Sequence, residues 1–276
     1  MEGESPAKQY SAKVAATPLD RGRLRRELAR LGLRRGMTVL VHCSMRNVGW
    51  VEGGAETLRD ALLDVIGERR GTLVVPAQTA ANSESSPEYR AAVAGLDAAR
   101  LAAHRAAIRG FDPVTSPSEG MGALAESVRV HPRAHRSPHP IASFAAVGEY
   151  AADVCAEHPP ECLLGPQSPL ALLARLDARV LLLGVGFDKC TAFHLGEARA
   201  LPVWRSYRCK IGDAWVDFKG LAYQDSDFAE LGARFEHAHS SDVLRSTVGS
   251  ATARLFPLAL AADFAAKDLP ELRFAR

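Results

Sequence analysis

Apolar residues Leu24, Leu28 and Leu31 recur at the i, i+4, i+7 spacing of one helix face. Asp20 before them suits an N-cap and Gly32 after them suits a stop. The polar face of this predicted helix is rich in arginine (Arg21, Arg23, Arg25, Arg26, Arg30). A solvated charged face is the plain expectation for it, and phosphate contact the alternative. The period then changes. Met37-Thr-Val-Leu-Val-His42 is a continuous apolar, β-branched run of the kind buried on both faces of a sheet. It breaks into Cys43-Ser-Met-Arg-Asn-Val-Gly49, and a helix with Leu58, Leu62 and Ile66 on one face follows. Gly71 opens a second strand, Thr72-Leu-Val-Val-Pro76. Strand, loop, helix and strand in this order make a βαβ unit, with parallel strands joined by a right-handed crossover.

Residues 80–110 leave that rhythm, with alanine-rich helical stretches interrupted by Asn82-Ser-Glu-Ser-Ser-Pro87 and Gly95. We expect an excursion from the sheet that forms a lid or a cleft wall. Glu119 to Val128 reads as helix, Ser143 to Val147 as strand and Ser168 to Leu176 as a short helix. Arg179-Val-Leu-Leu-Leu-Gly-Val185 is the clearest buried strand. Trp204 to Tyr223 reads as antiparallel hairpin around Ile211-Gly-Asp213. Phe228 to Phe235 and Ala251 to Ala265 read as closing helices. The pattern predicts an α/β fold: a three-layer α/β/α sandwich with a mostly parallel central sheet and a small antiparallel lobe at about 200–225. Residues 1–17 have no contiguous apolar core and are expected to be a loose tail without a secretion signal. Residues 18–276 are expected to form a single domain.

Composition narrows the function classes. Of 276 residues, 47% are hydrophobic and 24% charged, as in an ordinary globular chain. The net charge of +2, from 34 basic and 32 acidic residues, gives no support for nucleic-acid binding. The longest apolar run, Val180 to Gly186, is too short to span a bilayer. Cys43, Cys155, Cys162, Cys190 and Cys209 form no regular framework, so free thiols and a reducing, cytoplasmic setting are expected. The oligomeric state stays open, with a homodimer as one alternative.

Several motifs are tested and fail. Gly184-Val-Gly186 follows a strand, but Lys189 holds the third glycine position and no acidic partner follows, so the dinucleotide fingerprint is absent. No Gly-x-Ser-x-Gly elbow occurs. Cys155, His158 and Cys162 have metal-like spacing but lack an adjacent fourth ligand. Buried thiols beside a surface histidine are expected there, and no metal site.

The segment from Gly184 to Glu197 starts at the carboxyl end of the clearest strand, the edge where open α/β sheets bind ligands. It carries Asp188, Thr191, His194 and Glu197. On a helix, Thr191 and His194 share a face at i, i+3, as do His194 and Glu197. A histidine with a carboxylate in reach equips a general base, because the carboxylate holds the tautomer and stabilises the imidazolium. The alternatives are a histidine bonded merely to its own helix, and a Cys190 thiol nucleophile.

In order along the chain stand Val41-His-Cys-Ser44 with Val48-Gly49, Pro76-x-x-Thr79, Phe111-Asp-Pro113 with Met121-Gly122, and Arg136-Ser-x-His139-Pro with Ser143-Phe. Gly165-x-x-Ser168-Pro and Leu183-Gly-Val-Gly-x-Asp188, with Thr191, His194-Leu and Glu197, complete the series. From about Leu24 to about Glu236 this order resembles the aminoglycoside 3-N-acetyltransferases and their antibiotic N-acetyltransferase relatives, which are distinct from the GNAT enzymes. The resemblance implies acetyl transfer from acetyl-CoA to the 3-amine of an aminoglycoside in a direct ternary complex, without a metal. It implies His194 as base, Glu197 or Asp188 as its orienter, and Thr191 or nearby backbone N–H groups as donors to the carbonyl oxygen. It further implies that the loop of Ser44, Met45, Arg46, Val48 and Gly49 contacts pantetheine and phosphate, with Thr79, His139 and Ser143 lining the same tunnel. Gly196 and Ala198 depart from the alanine and aromatic residue the family often has there. Aminoglycosides are polycations, and Asp225 and Asp227 are the acids expected to meet them. A different small amine as acceptor, or a silent CoA-binding protein, are the alternatives.

Overall fold

The computed structural model describes residues 18–274. The expected tail, 1–17, lies outside the described residues. In chain order the elements are α1 (Arg21–Leu31), β1 (Thr38–Cys43), α2 (Met45–Val48), α3 (Gly54–Ile66), β2 (Thr72–Pro76), α4 (Pro87–Val93) and α5 (Ala98–Ala107). There follow α6 (Ala123–Arg129), β3 (His135–Arg136), β4 (Phe144–Gly148), α7 (Ala151–Ala156), α8 (Pro169–Arg175), β5 (Arg179–Leu183) and α9 (Ala192–Ala200). The chain closes with β6 (Trp204–Ile211), β7 (Ala214–Leu221), α10 (Phe228–Ala238), β8 (Leu244–Val248), β9 (Ala251–Pro257) and α11 (Leu258–Phe274).

The local signals act as their chemistry dictates. The Asp20 side chain accepts from the Arg23 N–H to cap α1, and Gly32 ends the helix at φ 123. Leu24, Leu28 and Leu31 are its buried stripe. Pro169 follows Ser168 at the start of α8, the position where a missing N–H costs nothing.

A seven-stranded sheet runs in the order β3-β4-β2-β1-β5-β9-β8, and β6 and β7 form a separate two-stranded sheet. Strand β1 pairs parallel with β2, Thr38 opposite Thr72, and with β5, Val39 opposite Arg179. Strands β4 and β9 pair antiparallel with β2 and β5, and β3 and β8 pair antiparallel with β4 and β9. Five of the seven strands therefore point one way, and the parallel pairing sits at the centre.

Both faces of the sheet are covered. Val39, Val41, Leu73, Val75, Leu181 and Leu183 pack against α1, α3 and α6. The alternate residues Leu40, Val74, Val180 and Leu182 pack with Phe144 and Phe256 against α7 to α11. Each such side chain contributes about 1.5–3 kcal/mol on burial. No helix among the described residues is long and apolar enough to cross a membrane.

Two expectations are corrected. Ala251–Pro257 is a strand and not part of the closing helix, which begins at Leu258; β8 carried no sequence expectation at all. Strand β9 alternates Ala251, Ala253 and Leu255 inward while its neighbours Thr252 and Arg254 are more exposed, so sheet pairing overrides alanine's helix preference. The 80–110 excursion leaves the sheet as expected, but it braces the β6–β7 hairpin. Glu84 N–H donates to Arg208 O, Lys210 N–H to Asn82 O, and Phe111 N–H to Lys210 O.

Candidate active site

A cleft of about 710 Å³ opens at the carboxyl ends of β1, β2 and β5, the ligand edge of such a sheet. Val41, His42 and Cys43 reach it from β1, Pro76 and Gln78 from the end of β2, and Val185 from beyond β5. The Ser44–Arg46 segment, Asp188, Lys189, Thr191 and His194 line it together with Tyr223, Asp225 and Phe228.

Local geometry puts the chemistry there. After β5 the chain turns at Gly184, φ +69, where an added Cβ would stand 2.9 Å from the Asn47 Cβ; glycine lets the two loops touch. The Asn47 amide donates to the Gly184 carbonyl at 2.6 Å. Phe187 then inserts among Phe193, Phe235 and Phe256 and pins the segment. Helix α9 begins next, with Ala192 through Ala198 all buried. Gly196 permits this burial, since a Cβ there would stand 2.2 Å from the Ala262 carbonyl oxygen of α11. That close approach is the physical reason for glycine at a position where alanine is common in the resembled family.

His194 lies 8% exposed between the rings of Tyr223 and Phe228. Its Nδ1 meets Glu197 Oε2 at 2.7 Å. A carboxylate only accepts, so Nδ1 donates and Nε2 remains the ring's acceptor. Glu197 is 2% exposed, and its Oε1 accepts from Arg273 at 2.7 Å and from the Gln224 N–H at 3.1 Å. Asp188, the alternative orienter, is half-exposed and pairs with Lys189 at 3.3 Å; the histidine's partner is Glu197. Thr191 Oγ1 lies 3.3 Å from His42 Nε2. Burial, with His194 as neighbour, pushes His42 down to about 3, so it is neutral. Cys190 is fully buried and its thiol is pushed up to about 12 by that burial, which removes the thiolate a thiol enzyme requires.

The expected cofactor residues divide. Ser44, Met45 and Arg46 line the cleft. Val48 is a core residue, and Gly49 turns the chain at φ +102 beside Ser250. Thr79, His139 and Ser143 stand behind the wall and are buried. Thr79 donates to the Pro140 carbonyl, and Ser143 donates to Ala77 O while accepting from Arg136. His139 accepts from the Ile141 and Ala142 N–H groups at Nδ1 and donates to Pro160 O at Nε2. All three bond within the protein, and none is among the residues that line the cleft. His158 is also buried, 3% exposed, and not at the surface: it bonds Ser137 and the Leu163 carbonyl, while Cys155 faces the carbonyls of His135 and Phe144.

His42, Tyr223, Phe228 and Arg273 join the site without a role assigned from sequence. His42 carried a usable signal, a polar residue closing a buried strand at the ligand edge. Arg273 carried none, being one more arginine near the end of an Ala- and Leu-rich helix.

Residues 40–270 match the family described as aminoglycoside 3-N-acetyltransferase. The chain is similar to the SPbeta prophage-derived aminoglycoside N(3')-acetyltransferase-like protein YokD of Bacillus subtilis (strain 168), 38% identical over 251 residues, covering 87% of this chain and 89% of that protein. The YokD crystal structure superposes with TM-score 0.83 over 91% of this chain and 99% of that one, at 35% identity. Aminoglycoside N(3)-acetyltransferase VII of Streptomyces paromomycinus is 37% identical over 268 residues, 90% of each chain. A structure of AAC-IIIb binary with CoASH gives TM-score 0.80 at 27% identity, over 94% of this chain and 98% of that one. With the family matched across most of its length, the chain belongs to the aminoglycoside 3-N-acetyltransferases and is an acyltransferase.

Proposed function

We propose that this protein transfers an acetyl group from acetyl-CoA to an amine of an aminoglycoside, with His194 as general base. The observation that carries the reading is the buried His194–Glu197 pair at the cleft wall, with Nδ1 committed to the carboxylate. Acetyl-CoA, when bound, supplies an activated thioester. An ammonium acceptor must lose a proton before it can attack, and His194 Nε2 is the group to take it. Glu197 holds the tautomer and balances the charge that His194 then gains. The Thr191 hydroxyl, on the cleft wall one turn before His194, is the donor for the carbonyl oxygen. The donor set also suits the CoA moiety: Ser44, Met45 and Arg46 stand together on the cleft wall, and Lys189 adds a second cation. Asp225, a wall carboxylate, suits an ammonium of the acceptor.

The test is thiol release from acetyl-CoA against an aminoglycoside panel. Turnover is expected with compounds bearing a free 3-amine, and His194→Ala should lower kcat by about 10²–10⁴-fold. One observation favours a second acceptor class. Asp188 and Asp225 are the carboxylates among the lining residues, and Asp188 is already paired, which suits a small amine of low charge. Turnover of such amines without aminoglycoside turnover would favour that reading. Acetyl-CoA binding without any turnover would overturn both.

A further inference from the structure

The guanidinium of Arg273 reaches the site from the last turn of α11, beyond the residues 40–270 that match the family. Its NH1 meets Glu197 Oε1 at 2.7 Å, its Nε meets Asp227 Oδ2 at 2.6 Å, and its NH2 meets Asp227 Oδ1 at 3.1 Å and the Gln224 carbonyl at 2.8 Å. The side chain is 18% exposed, and those of its two carboxylate partners are 3% and 9% exposed. Burial opposes its charge, but the bonds to Asp227 and Glu197 outweigh that and raise its pKa. Gly196 sets the register of this reach by letting α11 lie against α9.

We propose that Arg273 is a positioning residue for acetyl transfer, a fork that offsets the charge of Glu197 and holds it aimed at His194 Nδ1; the proposal rests on His194 being the base. The charge balance gives the reason. Glu197 and Asp227 together with one guanidinium leave a single negative charge, which is cancelled when His194 takes up the acceptor's proton. Without Arg273 the buried Glu197 and Asp227 lose the cation they share, and the pair of His194 and Glu197 holds a proton before any acceptor arrives. The remaining titratable groups around the pair do not replace it. His42 on β1 is neutral, and the Tyr223 phenol is pushed up by burial. Asp188 and Asp225 are carboxylates, and Lys189 pairs with Asp188. Among the described residues, Arg273 is the cation bonded to Glu197.

The experiment compares the wild type with Arg273→Gln and Arg273→Lys. In the Gln variant kcat should fall about tenfold or more, part of the 10²–10⁴-fold a positioned base supplies, with KM for acetyl-CoA little changed. The acidic limb of its pH–rate profile should move up by about 1 unit or more. The Lys variant, a point charge without the fork, should keep the limb in place while losing part of kcat. A Gln profile reduced in height with its acidic limb unmoved would overturn the proposal, since a merely structural residue behaves that way. If the Gln variant does not fold, a Lys variant with unchanged kcat overturns it. Proton NMR of the substrate-free protein separates this proposal from the reading beneath it. The His194 Nδ1–H resonance should stand far downfield in the wild type and move further downfield in the Gln variant, whose ring already holds the extra proton. A resonance unchanged in that variant sinks the clamp whatever the turnover, and a wild type without acetyl transfer sinks the underlying reading alone.

Discussion

Cys190 and His194 lie one helical turn apart, and burial assigns them opposite fates. Both border the cleft, His194 with its Nδ1 committed and Cys190 fully buried with its thiol held in the neutral form. Cys190→Ser is therefore expected to leave kcat/KM for acetyl transfer unchanged. Placing a hydroxyl in this apolar site should cost about 1–3 kcal/mol, read as a lower Tm. Complete inactivation with an intact fold would restore the thiol alternative. The i, i+3 spacing made the His194–Glu197 contact legible in the sequence, because both residues sit on one helix. It did not choose between Glu197 and Asp188, because that choice depends on how the turn at Phe187–Lys189 packs. Thr79, His139 and Ser143 also stood in ordered motifs. They satisfy backbone groups of the wall, a need that leaves the same trace in a sequence as ligand contact.

Helices α9 and α11 behave as one unit. Gly196 is a contact and not a hinge, so Gly196→Ala should push α11 away and cost about 1–3 kcal/mol, as overpacking does. Thermal unfolding measures this. Because Arg273 rides on the same helix, acetyl transfer should weaken in the folded variant as well. A variant with wild-type Tm would show that α11 relaxes at no cost. Helix α9 also explains a gap in pattern reading: buried from Ala192 to Ala198, it offers no polar face to set a period. Strand β9 is the converse case. Its alanines read as helix, and the short turn at Gly249 and Ser250 that folds it against β8 went unread.

Across the molecule, three buried histidines are kept neutral. Burial pushes His139 down to about 4, and burial with a histidine neighbour pushes His42 and His158 down to about 3. The rings of His139 and His158 stand 4.5 Å apart and both bond carbonyls of the 160–163 loop. Their folded pKa values lie below the unfolded value near 6.5, so the unfolded chain binds the extra protons first. The stabilisation is complete above pH 6.5 and is lost as pH falls from there towards 4, by about 1.4 kcal/mol per pH unit for each group. Tm measured from pH 7.5 to 4.5 should drop steeply below 6.5, and a flat curve would contradict the burial of this group.

Local chemistry was enough to write much of this protein in one dimension. Caps, β-branched runs and the βαβ spacing at 38–76 follow from interactions within a few residues, so α1, β1, α3, β2 and β5 were legible, and with them the ligand edge of the sheet. The ordered motifs carried the family in the same way. Contacts between distant segments were not legible. The reversal of β4 and β9, the bracing of the hairpin by residues 80–110, the neutral His42 beside Thr191 and the reach of Arg273 to Glu197 all join positions far apart in the chain. Their energy comes from burial and charge in the assembled core, and only the packed structure determines which groups share it.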